Sequence, residues 1–177
     1  MNIFSYNKII ILGNNGSGKS WLAKELAAAT GLPLIHLDAH FWRPNWGMPA
    51  KEEWLEKNKQ FIAGERWIID GNCSHGGTME LRFAAADLAV ILDVNRWVCL
   101  AGLLQRNGKP RPDRPQANDE VFDLKFFRFC WFMLLRRGKV MREYQALHEK
   151  YPGTEVYVIK GRKNINRQLH QWKEDLS

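Results

Sequence analysis

The sequence predicts an α/β protein with a doubly wound, five-stranded parallel sheet, in a single domain over residues 1–177. Three observations lead to this prediction. Short, β-branched apolar runs without alternation are typical of strands buried on both faces of a parallel sheet. These runs alternate with helical stretches, which indicates βαβ units. A glycine-rich segment follows the first run and precedes the first helical stretch.

The predicted elements follow one another without internal repeats or low-complexity segments. The strands cover residues 8–12, 34–37, 67–70, 88–92 and 155–159. The helices cover residues 20–30, 51–63, 96–106, 123–148 and 164–176. Gly31 and Pro33 mark the end of the first helix, because glycine and proline commonly follow a helix C-terminus.

The net charge of +7 comes from one part of the chain. Residues 96–142, called here the basic window, hold 11 Lys and Arg against 4 Asp and Glu, and the remainder is balanced. A basic surface predicts an anionic partner, and nucleic acid, acidic lipid and nucleotide phosphates all qualify.

Other features of the composition indicate a cytoplasmic protein. No run of 18 apolar residues occurs, which excludes a membrane-spanning helix. The N-terminus lacks the basic and apolar regions of a secretory signal. The three cysteines, Cys73, Cys99 and Cys130, are far apart, which favours reduced thiols over disulfides or zinc.

The glycine-rich segment carries the strongest functional signal. It matches G-x-x-x-x-G-K-[ST] at every fixed position, between a predicted strand and a predicted helix. Such a loop points successive backbone N–H groups at phosphate. Lys19 is expected to reach the β- and γ-phosphates of ATP, and the Ser20 hydroxyl to bind Mg²⁺. The residues of the loop are Gly13, Asn14, Asn15, Gly16, Ser17, Gly18, Lys19 and Ser20.

Three carboxylates follow predicted strands, at the edge where this fold binds its ligands. They are Asp38, Asp70 and Asp93. Each has an alternative interpretation as a helix cap or turn former. His36, Asp38 and His40 would share one face of an extended strand and imitate a metal site. We favour a role for Asp38 with the acceptor instead.

Aromatic and basic residues suggest how the rest of the site is built. Trp42 and Trp46 flank Arg43 and are candidates to stack on a flat substrate, or to pack in the core. Arginines of the basic window, Arg106, Arg111 and Arg114, are candidates to close over the phosphates as a lid. A solvated basic loop is the alternative.

The apolar stretch 126–135 is too short to span a membrane and predicts a packed helix. Four basic residues follow it: Arg136, Arg137, Lys139 and Arg142. They leave open a side that faces a membrane surface or DNA.

Over about residues 8–140 the chain resembles the FlaR-related DNA topology modulation proteins, whose wider kin are adenylate-kinase-like P-loop proteins. The resemblance is carried by GNNGSGKS, LIHLDAHFWRPNW, WIIDGN, ADLAVILDVNRW and a later Arg-Pro-Asp. It implies a P-loop NTPase fold like that of the nucleoside monophosphate kinases. It also implies an acceptor-side insert at about residues 39–66 and a helical lid within about residues 96–142.

The segment that begins at Asp70 resembles the Asp-Gly-Phe-Pro-Arg motif of adenylate kinases, which contacts a nucleoside monophosphate. Here Ser74 stands in place of the arginine and His75 follows it. Arg43 or Arg82 can substitute as a clamp for an acceptor phosphate, although Arg82 can equally be a surface charge.

These features together predict an enzyme that moves the γ-phosphoryl group of Mg²⁺–ATP to a small acceptor, either a nucleotide or a hydroxylated metabolite. Asp70 is expected to orient the water shell of Mg²⁺ and Asp38 to face the acceptor. Two other functions stay open. One is an ATP-regulated protein that binds DNA through the basic window, and the other is a nucleotide binder with little catalysis.

Overall fold

The computed structural model describes residues 1–106 and 124–175. Its centre is a five-stranded sheet in which all paired strands are parallel, in the order β2-β3-β1-β4-β5. The strands are β1 (Lys8–Gly13), β2 (Leu34–His36), β3 (Trp67–Asp70), β4 (Leu88–Asp93) and β5 (Glu155–Lys160). The predicted fold class and all five predicted strands are confirmed, with ends that differ by one residue at most.

Seven α-helices connect and flank these strands in the part of the chain that the structure describes. They are α1 (Lys19–Thr30), α2 (Leu37–Phe41), α3 (Lys51–Ile62), α4 (Thr78–Ala85), α5 (Arg96–Arg106), α6 (Leu124–Lys150) and α7 (Arg162–Glu174). Single 3₁₀ turns occur at Ile3–Ser5, Pro44–Trp46 and His75–Gly77. Helices α2 and α4 are absent from the sequence prediction.

The short helix α2 corrects the interpretation of the residues after β2. The chain leaves the extended conformation at Leu37, so His36, Asp38 and His40 do not share the face of one strand. His40 is exposed and packs against the ring of Phe61, at 4.9 Å between ring centroids. Among the described residues, no group of three or more histidine, cysteine or carboxylate side chains is arranged to hold a metal ion.

The core has two layers, one on each face of the sheet. Because successive strand residues point to opposite faces, Ile9 and Ile11 enter one layer, and Ile10 and Leu12 enter the other. The first layer also receives buried residues of α1, α5 and α7, and the second those of α2, α3 and α4. Coverage on both faces explains why the central strands are apolar along their whole length.

Helix α6 contributes to both layers. Phe126, Cys130 and Met133 of its first half join the layer that contains α1. Tyr144, in its second half, is 2% exposed and joins the other layer. With 27 residues, the helix is roughly 40 Å long at 1.5 Å per residue, so one rigid element contacts both sides of the protein. In the described ranges no helix is both long enough and apolar enough to span a membrane.

Candidate active site

The phosphate loop lies where the sequence predicts it, between the end of β1 and the start of α1. Its chain turns back on itself, with the Ser17 N–H donating to the Asn14 carbonyl at 3.2 Å. Lys19 is 8% exposed, and its ammonium donates to the same carbonyl at 3.0 Å. The lysine charge is therefore held over the loop in which phosphate is expected to bind.

Close backbone contacts with helix α5 hold the phosphate loop. Gly16 has φ +80°, and a Cβ atom on it would lie 2.2 Å from the carbonyl oxygen of Cys99 in α5. A Cβ atom on Gly102, also in α5, would lie 2.7 Å from the Gly16 carbonyl oxygen. Only glycine allows such close approach of two backbones. The position of the loop therefore depends on α5, the helix at the start of the predicted lid region.

Asn72 fixes the point at which β1 enters the loop. Its amide nitrogen donates to the Gly13 carbonyl at 2.8 Å, and its amide oxygen accepts from the Gly13 N–H at 3.3 Å. The same oxygen accepts from the Tyr144 hydroxyl at 2.9 Å. One asparagine thus joins the carboxyl ends of β1 and β3 to helix α6.

Asp70 ends β3 and is 5% exposed. Its Oδ2 atom lies 2.9 Å from Nδ1 of His36, which occupies the matching position at the end of β2. Its other carboxylate oxygen, Oδ1, is buried without a hydrogen-bond partner, and so is the Ser17 hydroxyl in the loop. Buried polar atoms are rarely left unpaired in proteins. These two unpaired oxygens, the Lys19 ammonium and the Ser20 hydroxyl fit a Mg²⁺–nucleotide, which needs oxygen ligands for the metal and positive charge for the phosphates.

Asp38 lies in the first turn of α2, half-buried and next to the same edge of the sheet. The Cys73 thiol is 3.5 Å from Asp38 Oδ1. Burial, together with the Asp38 charge, raises the pKa of the Cys73 thiol well above its usual range, while Arg82 and Lys19 act in the opposite direction. The thiol therefore stays protonated at neutral pH and donates to Asp38. Cys73 follows Asn72, whose amide binds Gly13 at the start of the loop, so the Asp38 carboxylate lies near the phosphate loop.

Arg82 is neither a clamp open to an acceptor phosphate nor a surface charge, the two roles that the sequence left open. It is 1% exposed, so it is not a surface charge, and it does not lie open to an acceptor. Its guanidinium donates to the backbone carbonyls of Asn72 and Cys73 and to the side chains of Asn58 and Thr78. Burial lowers the pKa of Arg82 to about 10, so it remains charged at neutral pH. These contacts hold the backbone of Asn72 and Cys73 in place, so Arg82 positions this segment, called here the Asn72 turn.

The aromatic residues of the insert form a cluster at the end of α2. Trp42 packs edge-on against Phe41 and Trp46, with centroid distances of 4.9 Å and 5.3 Å. Trp46 is 38% exposed and has φ +61°, a conformation that bulky residues rarely adopt. Arg43 closes this turn through its N–H, which donates to the Gly47 carbonyl at 2.9 Å, and its guanidinium pairs with Glu53.

The lid prediction falls largely on residues that the structure does not describe. Arg111 and Arg114 lie outside the described residues, and so does the side chain of Arg106, the last residue of α5. Asp93 ends β4 and pairs in register with Lys160 of β5. The roles expected for the three arginines stay predictions.

Sequence reasoning missed several residues that build the site. His36 has a usable signal, because the parallel strands β2 and β3 end at adjacent positions and bring His36 beside Asp70. Gly102 has a weaker one, since a glycine inside an amphipathic helix often marks close packing. Asn72, Cys73 and Tyr144 act through contacts between distant parts of the chain, which no local pattern contains.

The architecture matches known structures. A gluconokinase from Sinorhizobium meliloti 1021 superposes with a TM-score of 0.53 and 18% identity, covering 96% of this chain and 93% of the other. A shikimate kinase from Acinetobacter baumannii, in complex with shikimate, gives a TM-score of 0.56 and 12% identity, covering 96% and 94%. The chain has the P-loop kinase fold. No protein-family model matches the sequence, and a search of curated proteins finds no match, so the resemblance to FlaR-related proteins stays a prediction.

Replacing the loop lysine tests the phosphate site. We expect Lys19→Ala to weaken Mg²⁺–ATP binding by roughly 10- to 100-fold, since a charged hydrogen bond contributes about 1.5–3 kcal/mol. The affinity is measured by calorimetry, and thermal melting reports the fold. Lys24→Ala, an exposed lysine on the same helix, is the control. An unchanged affinity for Mg²⁺–ATP in a folded Lys19→Ala protein would show that Lys19 of the loop does not bind the phosphates of ATP.

Replacing the buried arginine separates positioning from substrate contact. We expect Arg82→Met to lower the free energy of unfolding by about 3 kcal/mol, because it leaves buried carbonyls unpaired. Urea unfolding measures this, with the exposed Arg66→Met as control. An unchanged free energy of unfolding, with a large rise in KM for the acceptor, would make Arg82 a substrate contact after all.

Proposed function

We propose that this chain is a cytoplasmic P-loop kinase that transfers the γ-phosphoryl group of Mg²⁺–ATP to a hydroxyl group of a small metabolite. The observation that carries the proposal is the contact of the Asp38 carboxylate with Cys73, next to the Asn72 side chain that binds Gly13 of the phosphate loop at the carboxyl edge of the parallel sheet. Cys73, Cys99 and Cys130 form no disulfide, which supports a reducing compartment.

The donor side follows from the loop. Its backbone N–H groups and Lys19 would bind the phosphates of ATP, and the Ser20 hydroxyl together with Asp70 would hold Mg²⁺. Bound Mg²⁺ neutralises charge on the β- and γ-phosphates. His36 binds one oxygen of Asp70, and the other oxygen is buried without a hydrogen-bond partner. The buried lysine and carboxylate need no rearrangement of solvent when charge develops, which favours phosphoryl transfer.

The acceptor side supports a hydroxyl group more than a phosphate. A nucleoside monophosphate needs a cationic clamp, and here Ser74 replaces the expected arginine. Among the described residues the two candidate substitutes already have protein partners: the exposed Arg43 pairs with Glu53, and the buried Arg82 binds backbone carbonyls. Asp38, by contrast, is half-buried and has an oxygen within reach of the thiol donor Cys73. A carboxylate in this position accepts the proton of an attacking hydroxyl.

Two further features fit a small acceptor. Trp46 is partly exposed one turn after α2 and offers a flat apolar surface beside Trp42, suited to the face of a ring. The two structural neighbours are named as a gluconokinase and as a shikimate kinase with shikimate bound. Fold alone does not determine an acceptor, so these names guide the choice of compounds to test.

The decisive experiment is an acceptor screen that measures ADP release from ATP. It compares nucleoside monophosphates with polyols, sugar acids and cyclic hydroxy acids, using Lys19→Ala as the blank for contaminating activity. We expect turnover with a hydroxylated compound and none with the monophosphates. Turnover with a monophosphate alone would contradict the proposal, and ATP binding without turnover on any compound would indicate a nucleotide binder.

Asp38 distinguishes the two acceptor classes. We expect Asp38→Asn to lower kcat by about 10²- to 10⁴-fold with a hydroxyl acceptor, because general base catalysis contributes that amount. The ATP affinity should change little, since Asp38 lies on the acceptor side. Asp175→Asn, an exposed carboxylate near the end of α7, is the control. Near-normal turnover in Asp38→Asn would argue against a general base and for an acceptor that is already anionic.

The basic window is tested against the DNA-binding alternative with Arg111→Ala and Arg114→Ala. Arginines that act on the transferring phosphoryl group should lower kcat more than they weaken ATP binding. Arginines that bind duplex backbone should instead reduce the slope of log affinity against log salt by about one each. Steady-state kinetics and a salt series of duplex binding are measured on the same variants. Normal turnover with a reduced salt slope would favour the DNA function.

A further inference from the structure

Helix α6 is apolar on two opposite sides over its first half. One side, with Phe126, Cys130 and Met133, is buried in the core. The opposite side is exposed, and its residues recur every three or four positions and so form one line along the helix. Its side chains are between 57% and 72% exposed. We call this line the outer stripe; it consists of Leu124, Phe127, Trp131 and Leu135.

The outer stripe is an unusual surface for a protein of this kind. A helix with apolar residues all round is normally buried, and each large apolar side chain left in water forgoes the favourable free energy of its burial. Trp97 of α5 is also 63% exposed. The neighbouring Arg96 donates to the Leu134 carbonyl of α6 at 3.3 Å, which places the start of α5 beside the outer stripe. A contiguous exposed apolar patch marks an interaction site.

The charge around the outer stripe indicates its partner. Residues 124–142 contain six Lys or Arg and no Asp or Glu. Arg128 is exposed beside the stripe, and the exposed Lys139 and Arg142 continue it toward the helix C-terminus. The surface therefore combines aromatic and leucine side chains with positive charge, which is the composition of helices that lie in the plane of an anionic membrane surface.

We propose that the outer stripe and the basic residues beside it dock this protein on an anionic lipid surface. A second copy of the chain fits less well, because a two-fold interface would place the same basic residues against each other. Duplex backbone would bind the basic residues but would leave Trp131 and Leu135 without an apolar partner. Residues 107–123 are a poor candidate to cover the stripe, because their sequence contains only two large apolar residues, Val121 and Phe122.

Vesicle sedimentation of the full chain tests the proposal. We expect binding to vesicles of phosphatidylcholine with phosphatidylserine, and at least about fivefold weaker binding to phosphatidylcholine alone. Binding should weaken between about 0.1 M and about 0.5 M salt, since screening shortens the range of the attraction. The double variant Trp131→Gln, Leu135→Gln should bind roughly tenfold more weakly. Trp21→Gln, an exposed tryptophan on α1, is the control and should bind as wild type does.

A second variant keeps the test valid if changes in the stripe disturb folding. Lys139→Glu with Arg142→Glu alters two exposed positions only, and its melting temperature is measured first. We expect about 25-fold weaker binding to the anionic vesicles, since each basic residue near such a surface contributes about fivefold. Equal binding of wild type to neutral and anionic vesicles would overturn the proposal. So would a concentration-dependent dimer that the stripe variant abolishes, or duplex DNA binding in place of vesicle binding.

Discussion

The hydrogen bonds between Asn72 and Gly13 are the contacts on which the rest of the site depends. Parallel strands stop pairing at their carboxyl ends, so the backbone of β1 needs a partner from elsewhere as it leaves the sheet. The Asn72 amide satisfies both polar groups of Gly13. Asn72 is held in turn by the Tyr144 hydroxyl and, through its carbonyl, by Arg82. The start of the phosphate loop is therefore fixed by a side chain, before any ligand binds.

The loop also needs support on the side away from its ligand. A turn whose N–H groups face an anion directs its remaining backbone outward, and a flexible loop would lose entropy on binding phosphate. Here the Gly16 backbone packs against α5 at Cys99 and Gly102. Two glycines make this possible, one in the loop and one in the helix. The phosphate loop, α5 and residues Asn72 and Cys73 thus form one connected unit, and such preorganisation is what the proposed phosphoryl transfer would need for electrostatic stabilisation.

The strands and the phosphate loop were predictable from sequence, because their signals are local. A run such as 8–12 is apolar at every position, and the loop motif has fixed spacing, so neither depends on the remainder of the chain. Helix α2 was missed because Leu37–Phe41 is short and continues an apolar strand without a glycine or proline between them. Arg82 was misplaced because its sequence neighbours do not reveal that the carbonyls of Asn72 and Cys73 lie beside it. Long-range hydrogen bonds determine those positions.

Helix α6 connects the outer stripe to the side chain that holds the start of the phosphate loop. Its first half bears the outer stripe and packs on the layer with α1 and α5, and its second half delivers the Tyr144 hydroxyl to Asn72. Because an α-helix of this length behaves as a rigid rod, a constraint applied to its outer half acts on the same body that positions the phosphate loop. The hydroxyl of Tyr144 meets Asn72 at 2.9 Å, and a displacement of the helix by even an ångström would break that bond. The docking proposed for the stripe would therefore act on the same helix that contacts Asn72, so the position of α6 would affect the geometry of the loop.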